Sequence, residues 1–326
     1  MKLVRRSFLQ VAAGAVASLG MVRIVGAQTY PTRPVHLYVG YAAGGPLDTS
    51  ARLIAQWLTE RLGQQFIVVN QPGAGSNLAA ETVVRAPPDG YTLLQISASN
   101  AWNVTLYDNL KFNFISDIVP VAGVRNAAGV LEVHPSVPVK TVAEFITYAK
   151  ANPGKLNMAT GGVGSAPHLY IELFKMMTGV DLVTVNYRGA GPALLDLISG
   201  QVQGTFDVVI SSIAHIRAGR LRPLGVTTAK RLAVLPDVPA IGESLPGYDA
   251  SSWDGIGAPA NTPPEILATL SKEVNAAHAD PGFKARLADL GAESFLAGSP
   301  DEFSKFVVEF TEKWGKVIRT AGIKAQ

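Results

Sequence analysis

Residues 35–63 read VHLYVGYAAGGPLDTSARLIAQWLTERLG, and the fold follows from this stretch. Val35-His36-Leu37-Tyr38-Val39 is a short, mostly apolar run of the kind that forms a buried strand. It breaks at Gly40, and Gly44-Gly45-Pro46 supplies a loop suited to unusual backbone angles. From Leu47 the apolar residues change period. Ala51, Ile54, Trp57, Leu58 and Leu62 recur at helical spacing, and Gly63 is a natural stop. Strand, glycine loop and helix together make one βα unit.

The same unit recurs outward along the chain. Phe66–Val69 is the next strand, Asn70–Ser76 a second glycine loop, and 77–85 a short helix. Pro87-Pro88-Asp89-Gly90 turns the chain into a third strand over 91–96. The pattern restarts at 156–160, followed by the loop Gly161-Gly162-Val163-Gly164-Ser165 and a helix over 168–178. Strands follow at 182–187, 204–207 and 222–228, with a helix over 192–198. Val119–Val124 and Val130–Val133 read as two strands around the weakly patterned residues 125–129, and 252–259 as a return crossing. The tail from Pro263 carries helical patterns at Ile266, Leu270 and Val274, at Phe283 and Leu287, and at Phe303, Phe306 and Phe310.

Alternating strands and helices with short loops predict an α/β fold whose sheets are largely parallel. The expected organisation is two lobes, 28–127 plus 251–326 and 128–250, each with its own sheet, joined by two crossings that make a hinge. A length of 326 residues is enough for two hydrophobic cores.

Residues 1–27 look like an export leader. They hold four of the 28 basic residues and none of the 25 acidic ones, so the chain without them carries a net charge of −1. A weakly apolar run from Leu9 to Val22 precedes Val25-Gly26-Ala27, whose small residues suit a signal-peptidase cut before Gln28. Arg5-Arg6-Ser7-Phe8-Leu9-Gln10 resembles a twin-arginine signal, and an ordinary leader with two arginines is the other reading. The mature protein is expected to be soluble outside the cytoplasm, with no membrane anchor. The leader accounts for the basic pI, and no later basic stripe argues for nucleic acid. With no cysteine, disulfides, thiolate metal sites and a Cys nucleophile are excluded.

In open α/β sheets ligands bind at the carboxyl ends of strands, where helix N-termini favour anions. Four loops fall there: 41–48, 73–77, 161–165 and 188–191. Two from each lobe, facing across a cleft, would grip a small anion. Other chemistries lack their motifs. Gly162-Val163-Gly164-Ser165 has neither the third glycine of a dinucleotide site nor a Walker lysine, and no Gly-x-Ser-x-Gly elbow occurs. Ser165, His168 and Asp207 are triad residue types, but Ser165 and His168 read as neighbours at a helix start. The histidines at 36, 134, 168, 215 and 278 are scattered, so neither a metal nor a cofactor is expected. Asp48 reads most simply as a helix N-cap, with a role in holding the loop backbone or water as the alternative.

Gly40–Asp48 with Ala51-Arg52, and Asn70-Gln71-Pro72-Gly73-Ala74-Gly75, are similar to signatures of the tripartite tricarboxylate transporter receptors, the Bug-type extracytoplasmic solute-binding proteins. Pro88–Leu94, Thr160–Ser165 with His168, Tyr187-Arg188-Gly189, Asp196-Leu197 with Gly200, Phe206-Asp207, Leu235–Pro239 and Trp253–Thr262 extend the resemblance over residues 30–326. It implies a two-lobed Venus-flytrap, type II-like periplasmic-binding-protein fold. The protein would be a non-catalytic monomer that takes di- or tricarboxylates, aromatic acids or acidic amino acids and works with the membrane components of a transporter. Carried over by position, Tyr41, Ala42, Ala43, Gly44, Gly45 and Asp48 would hold a carboxylate, with Ser97 and Ser99 beside them. Thr160, Gly161, Gly164, Ser165 and His168 would face them from the other lobe, next to Tyr187, Arg188, Gly189 and Ala190, with Asp207 closing the far end. Asn103-Val104 stands where the family usually has Asn-Pro, and Lys111-Phe112-Asn113-Phe114 replaces a proline-containing stretch, two departures from the family pattern near the cleft rim. The alternative function is an exported α/β hydrolase using Ser165 or Ser76.

Overall fold

The computed structural model describes residues 30–187, 190–295 and 298–325, so the leader lies outside the described residues. In the first half of the chain, β1 (Val35–Val39), α1 (Pro46–Leu62), β2 (Phe66–Asn70), α2 (Asn77–Val84) and β3 (Thr92–Ser97) run as read. Then come α3 (Ala98–Leu106), the single turn α4 (Phe114–Asp117) and the 16-residue strand β4 (Ile118–Val133). The second half begins with α5 (Val142–Ala151), β5 (Asn157–Thr160), α6 (Ala166–Thr178), β6 (Val183–Asn186) and α7 (Ala190–Ile198). It continues with β7 (Gly204–Val208), α8 (Val209–Arg217) and β8 (Arg222–Val226), and the chain returns along β9 (Ser251–Pro259). The helices α9 (Pro264–Ala277) and α10 (Pro281–Asp289), the short strand β10 (Ala292–Ser294) and the long helix α11 (Pro300–Thr320) close the chain.

Strand order is β2-β1-β3-β9-β4-β7-β5-β6, with β10 and β8 also paired to β4. Within this path β1, β2 and β3 are mutually parallel, as are β5, β6 and β7, while β4 and β9 run antiparallel to their neighbours. Both sheets are therefore mixed rather than purely parallel. The long strand changes partners along its length: Ile118–Ala128 pairs with β9, and Gly129–Val133 pairs with β7 and β8. Two strands are expected here and one is found. Arg125-Asn126-Ala127-Ala128-Gly129 lacks an alternating pattern because both faces of the sheet are covered, and only Asn126 is more than slightly exposed.

This topology fixes where the loops go. The carboxyl ends of β1, β2 and β3 lie at the edge where Ser97 opposes Asp254, and those of β5, β6 and β7 at the edge where Val208 opposes Gly129. Both edges adjoin the crossing between sheets, so the glycine loops of both lobes gather around it.

Behind that crossing the tail helix binds the molecule together. Phe303, Phe306, Phe310 and Trp314 repeat at three- and four-residue spacing, so they form one stripe of α11. Trp253 of β9 packs edge-on against Phe303, Phe306 and Phe310, each 5.6 Å away. Trp314 meets Trp102 at 5.7 Å and Tyr170 of α6 at 6.0 Å, linking the stripe to the second lobe. Truncating one such buried aromatic typically costs about 3–5 kcal/mol. The sequence pattern does not single out α3, α5 or α8, although each buries residues against a sheet.

Candidate functional site

Asp48 organises the first loop. It is the third residue of α1, and the N-cap is Gly45, so the side chain is not a cap. Its Oδ2 accepts the Gly44 N–H at 2.8 Å and Arg52 Nε at 2.9 Å, and its Oδ1 accepts Asn70 Nδ2 at 2.8 Å. Asn70 also donates to the Tyr41 carbonyl, and Arg52 donates to Asn70 Oδ1. The loop is thus clamped from beneath by Asp48, Arg52 and Asn70, while Tyr41 to Gly44 are exposed. Burial pushes the Asp48 carboxyl up, but the hydrogen bonds from Arg52, Gly44 and Asn70 outweigh it and hold the group below the usual carboxylate range. Tyr41 donates its hydroxyl to Ser99 Oγ at 2.8 Å, which brings two predicted site residues together. Ser97 caps α3, and its N–H donates to Asn100 Oδ1.

The second lobe repeats the arrangement with different atoms. The Gly164 N–H donates to Nδ1 of His168, the third residue of α6, at 3.0 Å. Thr160 is buried and its hydroxyl serves the loop, accepting the Gly162 N–H and donating to Asn186 Oδ1. Tyr187 lies beside this loop, with its N–H on the Thr160 carbonyl and its hydroxyl on Asp196. That hydroxyl is pushed up to about 12 by burial and by the Asp196 carboxylate. Ala190 opens α7 on the exposed surface, whereas Arg188 and Gly189 lie outside the described residues. The lobes approach each other here: a Cβ added to Gly164 would lie 2.8 Å from Leu106 Cδ1 of α3.

Two helix N-termini, one preceded by the exposed loop 41–44 and the other by the half-buried loop 161–165, can hold an anion through backbone N–H groups. The serines are poorly placed for hydrolysis. Ser165 Oγ has no hydrogen-bond partner among the described residues, and the ring nitrogen of His168 that could face the loop is already occupied. Ser76 is fully buried, and a Cβ on Gly40 would lie 1.9 Å from its Oγ. Among the described residues no group of acids and histidines could hold a metal ion. A groove of about 480 Å³ between α3 and α11, edged by Tyr107, Asp108, Arg319 and Lys324, contains none of the predicted site residues.

Known proteins resemble this chain over most of its length. Residues 50–323 match the model of the tripartite tricarboxylate transporter family receptors. The chain belongs to that family. It is 33% identical to Protein BugT of Bordetella pertussis over 95% of both chains. The structure of R. palustris Rpa4515 with adipate is similar at 39% identity and a TM-score of 0.80, covering 90% of this chain and 99% of that one. MatC of Rhodopseudomonas palustris with bound malate is similar at 33% identity and a TM-score of 0.76, covering 89% and 100%. The fold is the two-lobed α/β fold of periplasmic binding proteins, and the members of this family are solute-binding receptors.

In this family member Asp207 sits one residue from the end of β7 and is buried beneath α8. Its Oδ2 lies 3.2 Å from Ser212 Oγ, which in turn lies 2.5 Å from Glu132 Oε1. Burial pushes the Asp207 carboxyl up to about 6, with the Val208 N–H and Ser212 pulling the other way. Glu132 is raised well above the usual carboxylate range by burial and by Asp207, against a hydrogen bond with Ser212. In the first lobe Arg125 Nε bonds Asp254 Oδ2, while Ser50 and Gln95 donate to Oδ1 at 2.6 and 2.8 Å. Sequence reasoning assigned no role to Arg52, Asn70, Glu132, Arg125 or Asp254. Only the Asp48–Arg52 pair left a local signal, the four-residue spacing of an acid and a base on one helix.

Proposed function

We propose that this protein is the periplasmic receptor of a tripartite tricarboxylate transporter and captures a small carboxylate between its lobes. Lobe 1 would be 28–127 plus 251–326 and lobe 2 would be 128–250, with a leader removed near Gln28. The observation that carries the reading is the pair of helix N-termini, α1 and α6, each fronted by a glycine loop at the crossing between sheets. Adipate and malate in the similar structures support a carboxylate as the ligand. The exposed backbone of 41–45 would meet it from the first lobe, and Gly161, Gly164 and Ser165 from the second. Tyr187 and the 188–190 turn would flank it.

A panel of di- and tricarboxylates, aromatic acids and acidic amino acids, screened by thermal shift, tests this. A true ligand at about 1,000 times its Kd adds roughly 4 kcal/mol to stability. Binding across both lobes should also compact the scattering profile. Equal binding by the uncharged amides, or a profile left open at saturation, would refute the reading.

A further inference from the structure

Asp48 and His168 occupy the same place in the two lobes. Each is the third residue of the helix after a glycine loop, and each accepts the N–H of the glycine four residues before it. Gly44 and Gly164 both have positive φ, 83° and 75°, so each loop turns where the latch holds it. The latches differ in one chemical respect. A carboxylate remains an acceptor over nearly the whole pH range, whereas an imidazole accepts at Nδ1 only while it is neutral and protonated at Nε2. In the imidazolium both nitrogens donate, and the Gly164 N–H would then face another donor.

We infer that His168 is a positioning residue that latches the 161–165 loop while its ring is neutral, and that protonation frees the loop and weakens ligand binding. The inference rests on the carboxylate-receptor reading only for its effect on binding; the latch itself is a property of the ligand-free protein.

The surroundings of His168 favour the latched form. His168 is 8% exposed, and burial lowers its pKa, with Glu172 opposing and Lys175 adding to the shift. Glu172 Oε1 lies 4.0 Å from Nε2, and it is itself held by Lys175 Nζ and the Thr184 hydroxyl of β6. Of the neighbouring strands, β5 and β6 contain no ionisable side chain, and β7, against which α6 packs, contains Asp207, whose carboxyl is engaged by the Val208 N–H and Ser212. From the first lobe, α3 presents Leu106, and beyond its end Asp108 is paired with Lys324. Lys313 of α11 is turned to the Asp249 carbonyl, and Arg188 lies outside the described residues. Because the folded value is lowered, the latch is complete above the ordinary histidine pKa of about 6.5 and is lost as pH falls through the lowered value.

The test uses the mature protein in two arms. In the ligand-free arm, ¹⁵N NMR should show the neutral Nε2–H tautomer of His168 at pH 7.5. Exchange of the Gly164 amide should accelerate at least about tenfold, beyond its intrinsic pH dependence, as that ring titrates. An amide indifferent to the titration overturns the latch. In the second arm, adipate affinity is measured from pH 7.5 downward. His168→Ala should bind about tenfold more weakly at pH 7.5. His168→Asn places Oδ1 where Nδ1 stood, so it should rescue much of that loss and bind with a flatter acid limb than the wild type. An acid limb unchanged in His168→Asn overturns the inference. If adipate binds at no pH, the functional reading loses that ligand while the amide arm still decides the latch.

Discussion

The two lobes bury charge next to the crossing in opposite ways. In the first, Asp254 is set against Arg125 on the neighbouring strand and receives further hydrogen bonds from Ser50 and Gln95. In the second, Asp207 is set against another acid, Glu132, through the single hydroxyl of Ser212. A hydroxyl has one proton and cannot donate to two carboxylates at once. The chain closes only if one of the two acids is protonated; with Glu132, which burial raises well above the usual range, as the carboxylic acid, it donates to Ser212, which then donates to Asp207. The first lobe balances its buried acid with a base, while the second balances its acids with a bound proton. The first is therefore sensitive to losing a partner and the second to rising pH.

Removing the base should produce the largest effect. Arg125→Met leaves Asp254 buried without its cation, a change that typically costs about 3–5 kcal/mol. It should also make the lobes alike. Asp254 is already raised by burial, which Arg125, Ser50 and Gln95 oppose, and without Arg125 it would rise further. The variant should then regain stability as pH falls toward 5, a trend measurable by denaturant unfolding at several pH values. A uniform loss at all pH values would show that Asp254 does not take up the proton.

The second lobe offers the complementary experiment. Asp207 has a folded pKa of about 6 against an ordinary value of 3.8, so its contribution is present below 3.8 and is lost as pH rises through 6. The linkage amounts to about 3 kcal/mol across that window. Glu132 is raised as well, by burial and by Asp207, so its contribution is likewise lost as pH rises. In Glu132→Gln the amide donates to Ser212 without needing a proton and carries no charge to repel Asp207. Its stability should decline less between pH 5 and 9 than that of the wild type. Parallel pH profiles for the two proteins would place the buried proton elsewhere.

Sequence legibility follows the same division between local and distant causes. β1, α1 and its Gly63 cap could be read because their periods and stop signals are local. The loops at 41–48, 73–77 and 161–165 followed, because alternating strands and helices already place loops at strand ends, while 188 and 189 lie outside the described residues. What those loops do with their side chains was legible only as the alternative reading of Asp48, that it holds the loop backbone, as the Gly44 N–H bond shows. Asp48 looks like an N-cap in sequence, yet its partners Gly44 and Arg52 flank it along the chain while Asn70 comes from the end of β2. The Arg125–Asp254 pair spans 129 residues and the Glu132–Ser212 contact spans 80, so no spacing rule reaches them. The unity of β4 was missed for a related reason: its buried middle is made of small residues and one paired arginine, which leaves no period to count.

The loop latches extend the comparison on a smaller scale. Asp48 makes three hydrogen bonds, two with charged or strongly polar side chains, whereas the described bond of His168 is a single neutral one. Hydrogen bonds to charged groups contribute about 1.5–3 kcal/mol each and neutral ones about 1 kcal/mol. Some of the Asp48 bonds can be replaced by water, so Asp48→Ala should weaken ligand binding by about 2 kcal/mol, and by more than His168→Ala does. Calorimetric titration of both variants at pH 7.5 measures this. The reverse order would mean that the second loop, not the first, carries the main grip.

The smallest effect separates the two glycines. Gly44 and Gly164 share a left-handed backbone, so alanine at either position should cost about 1 kcal/mol in strain. Their surroundings differ. A Cβ on Gly44 meets nothing within 4 Å, while one on Gly164 lies 2.8 Å from Leu106 Cδ1 in the other lobe. The two alanine variants should therefore lose similar stability, but Gly164→Ala should lose more ligand affinity because its methyl group opposes the approach of the lobes. Leu106→Val, which lacks the Cδ1 methyl, should recover the excess when combined with Gly164→Ala and should leave Gly44→Ala unimproved. Equal affinity losses in the two glycine variants, with no recovery on shortening Leu106, would mean that the ligand-bound lobes do not meet at this contact.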